Sequence, residues 1–537
     1  MPSTDLKTKT AQGFFWGALN NGAMQVLNAV FGIVLARKLD QSDYGLIGML
    51  TIFTLIANSL QDSGFVTALT NKRDATHHDF NAVFWFNIGV SLLLYLLFFF
   101  CAPLIAHFFS EPILTPLSRY YFAGFFIASF SIVPRAILFR QIKQRELAIM
   151  GLTSLLLSGI VGITMAYNGM AFWGLATQTI TFNLMVSILS WVLSGWKPTF
   201  PLSEWKKSPS AWAGPIREMF PFSSKMLLTN IFNQVNNNIF SVVLGKIYTK
   251  VEVGTYNQAN KWNTMGASTI TGMVQGVAQP TFVAVGDDPA RLCRAFSKML
   301  RFTSFVTFPV MFGLALVAPE FIVTLITEKW LTSAHLMQIL CIGGAFLPIA
   351  TLYSNLIISR GKSDVYMWNV IAQGCTILGT ILFIHHAQSI MHHWADAMHL
   401  LRNIPYGKYA LCIVHDELYQ MVLAYVLIII LWTGIWHRFL KQEIHYPLLS
   451  ALKDILPFLL IAAATMGITY FLTRWLLTDN SPSILHTPFS PSLILLISRI
   501  LLAPLIYLGT LWLLRAKILK ESVGYLFNSR RSQQEQS

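Results

Sequence analysis

An Asn-x3-Gln-x2-Asn pattern occurs twice in the chain, 209 residues apart, each time inside an apolar run long enough to cross a membrane. The first copy is Asn21, Gln25 and Asn28, and the second is Asn230, Gln234 and Asn237. At 3.6 residues per turn, positions i, i+4 and i+7 share one helix face, so each copy predicts an otherwise apolar helix with one stripe of uncharged amides. The correspondence continues in register: Leu19, Val26, Phe31, Val34, Leu35 and Gly45 recur as Leu228, Val235, Phe240, Val243, Leu244 and Gly254. Arg37 becomes Lys246 and Asp43 becomes Glu252. Amides are rare in apolar segments, so shared composition does not explain this match. The chain reads as a duplication whose halves each carry a stripe that lipid would not tolerate.

Only 12% of the residues are charged and 54% are hydrophobic, values that exclude an ordinary soluble domain. A helical crossing needs roughly 20 apolar residues. Candidate spans fall at 11–36, 44–64, 82–107, 119–138, 147–167, 171–193, 221–245, 253–280, 300–326, 335–358, 364–384, 418–437, 455–477 and 493–514. The runs are continuous and lack a period of two, which predicts helices rather than barrel strands. The first span carries Asn and Gln and no small-residue cleavage site, unlike a removable signal peptide.

The formal charge of +14 is distributed by topology. With the N-terminus inside, 26 Lys or Arg fall on cytoplasmic segments, 8 on external ones, and Lys225, Lys261, Arg474 and Arg499 within or at the ends of spans. This positive-inside bias places both termini in the cytoplasm. The basic residues are shared among short loops, which argues against a nucleic-acid partner. Cys101, Cys293, Cys341, Cys375 and Cys412 show no paired spacing, so neither a disulfide framework nor a zinc module is expected.

The expected fold is an all-α polytopic membrane protein: about fourteen transmembrane helices in two parallel pseudo-repeat six-helix lobes, plus two extra C-terminal helices. Residues 1–193 form the N-lobe, 194–220 a Pro- and Lys-rich cytoplasmic linker, and 221–437 the C-lobe. Residues 438–516 hold spans 13 and 14, and 517–537 a polar cytoplasmic tail. A short interfacial helix is expected in the linker around Trp205 and Trp212. The duplication has further traces. Ala102-Pro103 followed by Glu111-x-x-Leu114-Thr115 matches Ala318-Pro319 followed by Glu328-x-x-Leu331-Thr332, and Ile137-x-x-Arg140 matches Ile357-x-x-Arg360. An offset of six crossings keeps corresponding helices pointing the same way, which predicts a pseudo-twofold axis along the membrane normal and a substrate site between the lobes.

Several short words, in order and at the expected spans, carry a family resemblance: Val34-Leu35-Ala36-Arg37, Asp43-Tyr44-Gly45-Leu46, Asp62-Ser63-Gly64, Tyr256-Asn257-Gln258-Ala259 and Glu328-Lys329-Trp330. Over about residues 5–380, and more weakly over 420–515, the chain resembles the polysaccharide-export branch of the multidrug/oligosaccharidyl-lipid/polysaccharide (MOP) superfamily, MATE-like flippases of the colanic-acid exporter type. The resemblance implies a fourteen-helix, two-lobed transporter with a V-shaped central cavity. It would move a polyprenyl-diphosphate-linked oligosaccharide from the inner to the outer leaflet of a bacterial cytoplasmic membrane, for cell-surface glycan biosynthesis. Implied partners are the lipid-linked oligosaccharide, membrane lipids and polysaccharide polymerase or export machinery. The sequence departs from the pattern at 385–417, a longer external stretch with His385, His386, His392, His393 and His399.

For Asn21, Gln25, Asn28, Asn230, Asn233, Gln234 and Asn237 the functional reading is the lining of a hydrated cavity that hydrogen-bonds sugar hydroxyls; the bland one is interhelical glue. Six Asn or Gln within 230–238 exceed what glue needs. A diphosphate needs cations along its path. Lys261, Lys225 and Arg135 are the candidates, with snorkelling to headgroups as the competing role for the last two. Arg499 reads better as an anchor or a structural pair. Asp62 and Glu320 are candidates for H+ or Na+ coupling, against a helix-end cap and a salt bridge. Arg37/Asp43 and Lys246/Glu252 lie in short external loops, as gate salt bridges or solvated pairs. No catalytic residue, metal or cofactor is expected; the histidines lack a carboxylate or Cys to complete a ligand set.

A drug/cation antiporter of the same fold needs deep carboxylates, whereas the intramembrane charge here is mainly positive. A membrane polysaccharide polymerase or ligase needs catalytic groups on an external loop, and Asp396, Arg402, Asp416 and Glu417 form no evident set. A purely structural membrane protein leaves the duplicated stripes unexplained.

Overall fold

The computed structural model describes residues 22–62, 76–141, 143–199, 230–236, 238–285, 288–391, 417–476 and 491–516, with isolated positions 217, 227 and 518. Helices joined by short turns make up these residues, with no β-strand among them. In chain order the helices are α1 (22–38), α2 (Gln41–Asp62), α3 (His77–Phe109), α4 (Leu114–Tyr121), α5 (Ala123–Arg140), α6 (Gln144–Tyr167) and α7 (Ala171–Ser194). There follow α8 (Asn238–Ile247), α9 (Lys250–Val285), α10 (Pro289–Leu325), α11 (Leu331–Gly344) and α12 (Leu347–Ser359). The last four are α13 (Ser363–Met391), α14 (Glu417–Ile444), α15 (Leu448–Arg474) and α16 (Pro491–Leu513).

Among the described residues eleven of the expected crossings are apolar and long enough to span a membrane, with α4–α5 and α11–α12 each counting as one. The other three expected spans fall on residues 22–38, on 230–247 and on α9. The first two are described only in part, and α9 is 36 residues long but too polar to rank with the apolar spans. α13 runs on to Met391, past the expected end of its span. The interfacial helix around Trp205 and Trp212, His392, His393, His399 and the tail 521–537 lie outside the described residues.

Packing divides the chain into two compact units, Met1–Asn257 and Gln258–Ser537, with the boundary inside α9. In the first unit α7 packs along α5 and α6, and α5 packs on α3. The Thr76–Asp79 capping box starts α3. The 197–199 segment after α7 docks on that start: Asn81 accepts from the Thr199 amide at 3.1 Å, and the Trp85 indole donates to the Thr199 carbonyl at 3.0 Å. In the second unit α10 is central, packing against α11, α15 and α16, while α14 packs on α11, α12 and α13.

Proline explains how the long helices are tied together. A proline inside a helix removes one N–H and leaves the carbonyl four residues earlier without its donor. In lipid that carbonyl must find another partner within the protein. Pro103 frees Phe99, whose carbonyl accepts from Arg119 Nε at 3.3 Å. Pro134 frees Phe130, which accepts from the Trp191 indole at 2.8 Å. Pro309 frees Phe305, which accepts from the Tyr507 hydroxyl at 3.1 Å. Pro319 frees Ala315, which accepts from Gln338 Nε2 at 3.1 Å. Each donor sits on a different helix from its proline, so each of these four breaks in a backbone ladder becomes an interhelical bond.

Removing such a donor while keeping its shape tests this account. Tyr507→Phe and Gln338→Leu should each lower stability by about 1–3 kcal/mol, read as a fall in the unfolding temperature of the purified protein in detergent. Tyr120→Phe, whose hydroxyl bonds a threonine side chain instead, should change it less.

Candidate functional site

The repeat-related residues 41–48 and 250–257 meet in the first unit. A Cβ on Gly45 would lie 1.8 Å from the Lys250 carbonyl oxygen, and a Cβ on Gly254 would lie 1.8 Å from the Gln41 carbonyl oxygen. Gly45 and Gly254, like Gln41 and Lys250, are separated by 209 residues. The crossing of α2 with the start of α9 is therefore reciprocal, as a twofold contact is. No residue with a side chain fits at either glycine. The same offset governs the helix starts. Asp43 accepts from the Asp40 amide at 2.9 Å, and Glu252 from the Thr249 amide at 2.8 Å. The carboxylates considered for gate salt bridges thus cap α2 and α9. Lys246 donates to the Phe108 carbonyl at 2.7 Å, and Lys250 pairs with Glu111 at 3.1 Å.

Gln25 and Asn28 are half-buried and lie on the side of α1 that carries the buried Phe31, Leu35 and Leu39. Val26 and Val30 face the opposite way, 63% and 47% exposed. The amides therefore point away from the lipid-facing valines, yet remain partly accessible, as groups bordering a hydrated space would. Asn230, Asn233 and Gln234 are likewise half-buried, on the side continued by buried Phe240 and Leu244. Asn238 Nδ2 donates to the Gln234 carbonyl at 2.9 Å. Asn21, Asn237 and Lys225 lie outside the described residues.

In the second unit α9 supplies what the other long helices lack. Its buried face carries Asn263, Ala267, Ile270, Val274 and Ala278, and Trp262 meets Phe321 of α10 edge-on at 5.0 Å. Its accessible face carries Lys261, Thr264, Ser268, Gly272 and Gln275, spaced three, four, four and three residues apart. That spacing is one helical stripe. Lys261 is half-buried and the other four are exposed; its ammonium lies 5.8 Å from the Trp262 ring centre, and Asn260 accepts from Thr264 Oγ1 at 3.4 Å. A stripe of lysine, hydroxyls and amide along a membrane helix belongs against water or protein, not lipid. Sequence inspection singled out Lys261 and passed over Thr264, Ser268 and Gln275, although their period was legible.

The remaining candidates sit elsewhere. Arg135 is exposed toward the C-terminal end of α5, next to Pro134. Asp62 is the last residue of α2. Glu320 pairs with Arg499 at 2.7 Å; Arg499, only 4% exposed, also donates to Thr473 Oγ1 at 3.2 Å and to the Leu316 carbonyl at 3.3 Å. This pair fastens α16 to α10 and α15. His385 bonds Glu417 at 2.8 Å, joining α13 to α14. Among the described residues no group of three or more His, Cys, Asp or Glu is placed to hold a metal.

Comparison with known proteins bears on these features together. The sequence profile of a family described as polysaccharide biosynthesis protein matches residues 34–335. The chain belongs to that family. It is 24% identical over 367 residues to the lipopolysaccharide biosynthesis protein WzxC of Escherichia coli K12, covering 68% of this chain and 73% of that one. It is 24% identical over 373 residues to the teichuronic acid biosynthesis protein TuaB of Bacillus subtilis, covering 69% and 75%. Among solved structures, the lipid II flippase MurJ in an inward closed conformation superposes with a TM-score of 0.64 at 15% identity, over 94% of this chain and 99% of that one. An inward-facing multidrug MATE transporter of the MOP superfamily gives 0.58 at 14% identity, over 78% and 94%. The protein is a multi-pass membrane protein with the fold that MurJ and the MATE transporter share.

Two outcomes follow. Gly45→Ala and Gly254→Ala should each force the α2–α9 crossing apart and lower the unfolding temperature, and the double variant should cost less than the sum because both perturb one contact. Arg499→Met should cost about 3–5 kcal/mol by leaving Glu320 buried and unpaired, while the Arg499→Met/Glu320→Met double recovers most of it; thermal unfolding reads both.

Proposed function

We propose that the protein flips a polyprenyl-diphosphate-linked oligosaccharide repeat unit from the inner to the outer leaflet of a bacterial cytoplasmic membrane. Both termini lie in the cytoplasm on this reading. The stripe of α9 is the observation that carries it. A helix of 36 residues spends one face on Lys261, Thr264, Ser268, Gly272 and Gln275. Small hydroxyl and amide groups bond sugar hydroxyls and release them, since each exchange with water nets only about 0.5–1.5 kcal/mol. The amides on residues 22–38 and 230–236 have the same chemistry. Lys261, about 16 Å along α9 at 1.5 Å per residue, is the cation we assign to the diphosphate. The family, and the WzxC and MurJ likenesses, support the same substrate class.

The antiporter reading is less favoured. It needs an uncommitted deep carboxylate, and Glu320 is engaged by Arg499. For the same reason we assign Glu320 to anchoring α16 rather than to ion coupling.

Inactivating the protein in its host and locating the lipid-linked repeat units tests the proposal. They should accumulate on the inner leaflet; fully translocated but unpolymerised units would point to a polymerase or ligase. Lys261→Gln should lower export about 10- to 100-fold, the loss of one charge-assisted contact, at an unchanged level of folded protein. Unchanged export would remove Lys261 from the path.

A further inference from the structure

At the inner ends of α10 and α15, beside the end of α16, lies a cavity of ≈ 820 Å³ that the transport reading does not use. The positive-inside assignment puts it at the level of the cytoplasmic headgroups. Its polar wall carries Arg294, Lys298, Arg301 and Lys453 against a single acid, Asp454. Asp454 is buried and fully engaged: it pairs with Arg301 Nε at 2.8 Å and accepts from the Ser297 and Tyr446 hydroxyls. Burial first, and then Asp454, push the Tyr446 phenol well above its ordinary range, so it stays a donor to that carboxylate. One acid thus neutralises one arginine and fixes its plane. Arg294 and Lys453 are exposed at its wall and leave the cavity with a net positive charge.

The other wall is apolar: Pro457, Phe458 and Ile461 of α15 and Leu511 of α16. It does not end at the cavity. Pro457, Ile461, Ala464 and Ile468 lie four, three and four residues apart on one face of α15, and the last two open a second apolar groove of ≈ 590 Å³ that reaches Trp475. A cluster of cations at headgroup depth, continuous with an apolar groove descending into the bilayer, has the polarity of an anionic lipid.

We propose that this cavity binds the phosphate headgroup of an anionic glycerophospholipid of the inner leaflet, with an acyl chain lying along Pro457, Ile461, Ala464 and Ile468. The phosphate takes the charge of Arg294 and Lys453 and the guanidinium N–H groups that Arg301 does not spend on Asp454 and Ser297. Three cationic side chains around one phosphate match the charge-assisted contacts that hold such a headgroup against exchange with neutral lipid. The lipid would bridge α10, α15 and α16, the helices that Arg499 and Tyr507 also fasten.

The full-length protein purified in neutral detergent is titrated with phosphatidylglycerol, phosphatidylcholine, inorganic phosphate and polyprenyl phosphate, with bound lipid counted by native mass spectrometry and stability read by thermal unfolding. Phosphatidylglycerol should bind and raise the unfolding temperature; phosphatidylcholine and phosphate should not. Arg294→Gln/Lys453→Gln should weaken phosphatidylglycerol at least tenfold without changing the lipid-free unfolding temperature, whereas Arg37→Gln, at the end of α1, should leave binding intact. Equal stabilisation by phosphatidylcholine, or wild-type affinity in the double variant, overturns the site. Stabilisation by inorganic phosphate alone reduces it to an ion site and overturns the lipid. Stronger binding of polyprenyl phosphate, lost in the double variant, would assign the cavity to the carrier lipid instead.

Discussion

The constraint on which the structure rests is that hydrocarbon offers no hydrogen bonds. Backbone carbonyls that prolines free must therefore be satisfied within the protein, and four of them are answered by side chains from other helices. Phe99, Phe130, Phe305 and Ala315 are answered by Arg119, Trp191, Tyr507 and Gln338. The repeat-related prolines Pro103 and Pro319 are both treated this way, with donors from the helix that follows each. A soluble protein could leave such carbonyls to water. Here the kink and the interhelical bond come as one feature, and the polar side chains needed for it are specified by where the prolines stand.

The same constraint separates structural polar groups from functional ones. Arg499 is buried and committed to Glu320, Thr473 and the Leu316 carbonyl. Asn183 and Ser187 reach the carbonyls of Gly124 and Ile127. Those groups spend their hydrogen-bonding capacity on the protein. Thr264, Ser268 and Gln275 are exposed on a membrane-length helix instead. Exposure of small polar groups at that depth has a physical account only if water reaches them, and that distinction raises α9 above the many other polar positions.

Much of this was legible in the sequence. Continuous apolar runs mark crossings because period and length are enough for a helix in lipid, and eleven expected spans overlap apolar helices among the described residues, although helix ends are not fixed by apolarity and α10 begins at Pro289, well before its expected span. The duplication was visible because Asn and Gln are improbable in such runs. The reciprocal crossing of Gly45 and Gly254 was only half legible: the glycines matched, but nothing in a sequence says that residues 209 apart touch. The roles of Asp43 and Glu252 were open, since a carboxylate three residues into a helix serves a cap or an ion pair equally well. Glu320 needed the position of Arg499, 179 residues later, before its charge was accounted for. The basic cavity at Asp454 was not legible, because its cations come from the starts of two helices, α10 and α15, far apart in sequence, where they read only as topology signals.

The two halves of the duplication have diverged in a way that fits the chemistry of an amphipathic anionic substrate. The crossing glycines, the capping acids and the amide stripes are kept in both copies, and these serve geometry and weak sugar contacts. The lysine is not: Lys261 corresponds by the repeat offset to Ile52, a buried apolar residue of α2. One diphosphate carries one cluster of charge, so a second symmetric cation would add desolvation cost without a partner for it. A many-hydroxyl glycan, by contrast, gains from repeated weak donors and acceptors wherever it touches. Symmetric amides with an asymmetric cation are what a duplicated scaffold should reach when its cargo is neutral along most of its length and anionic at one end.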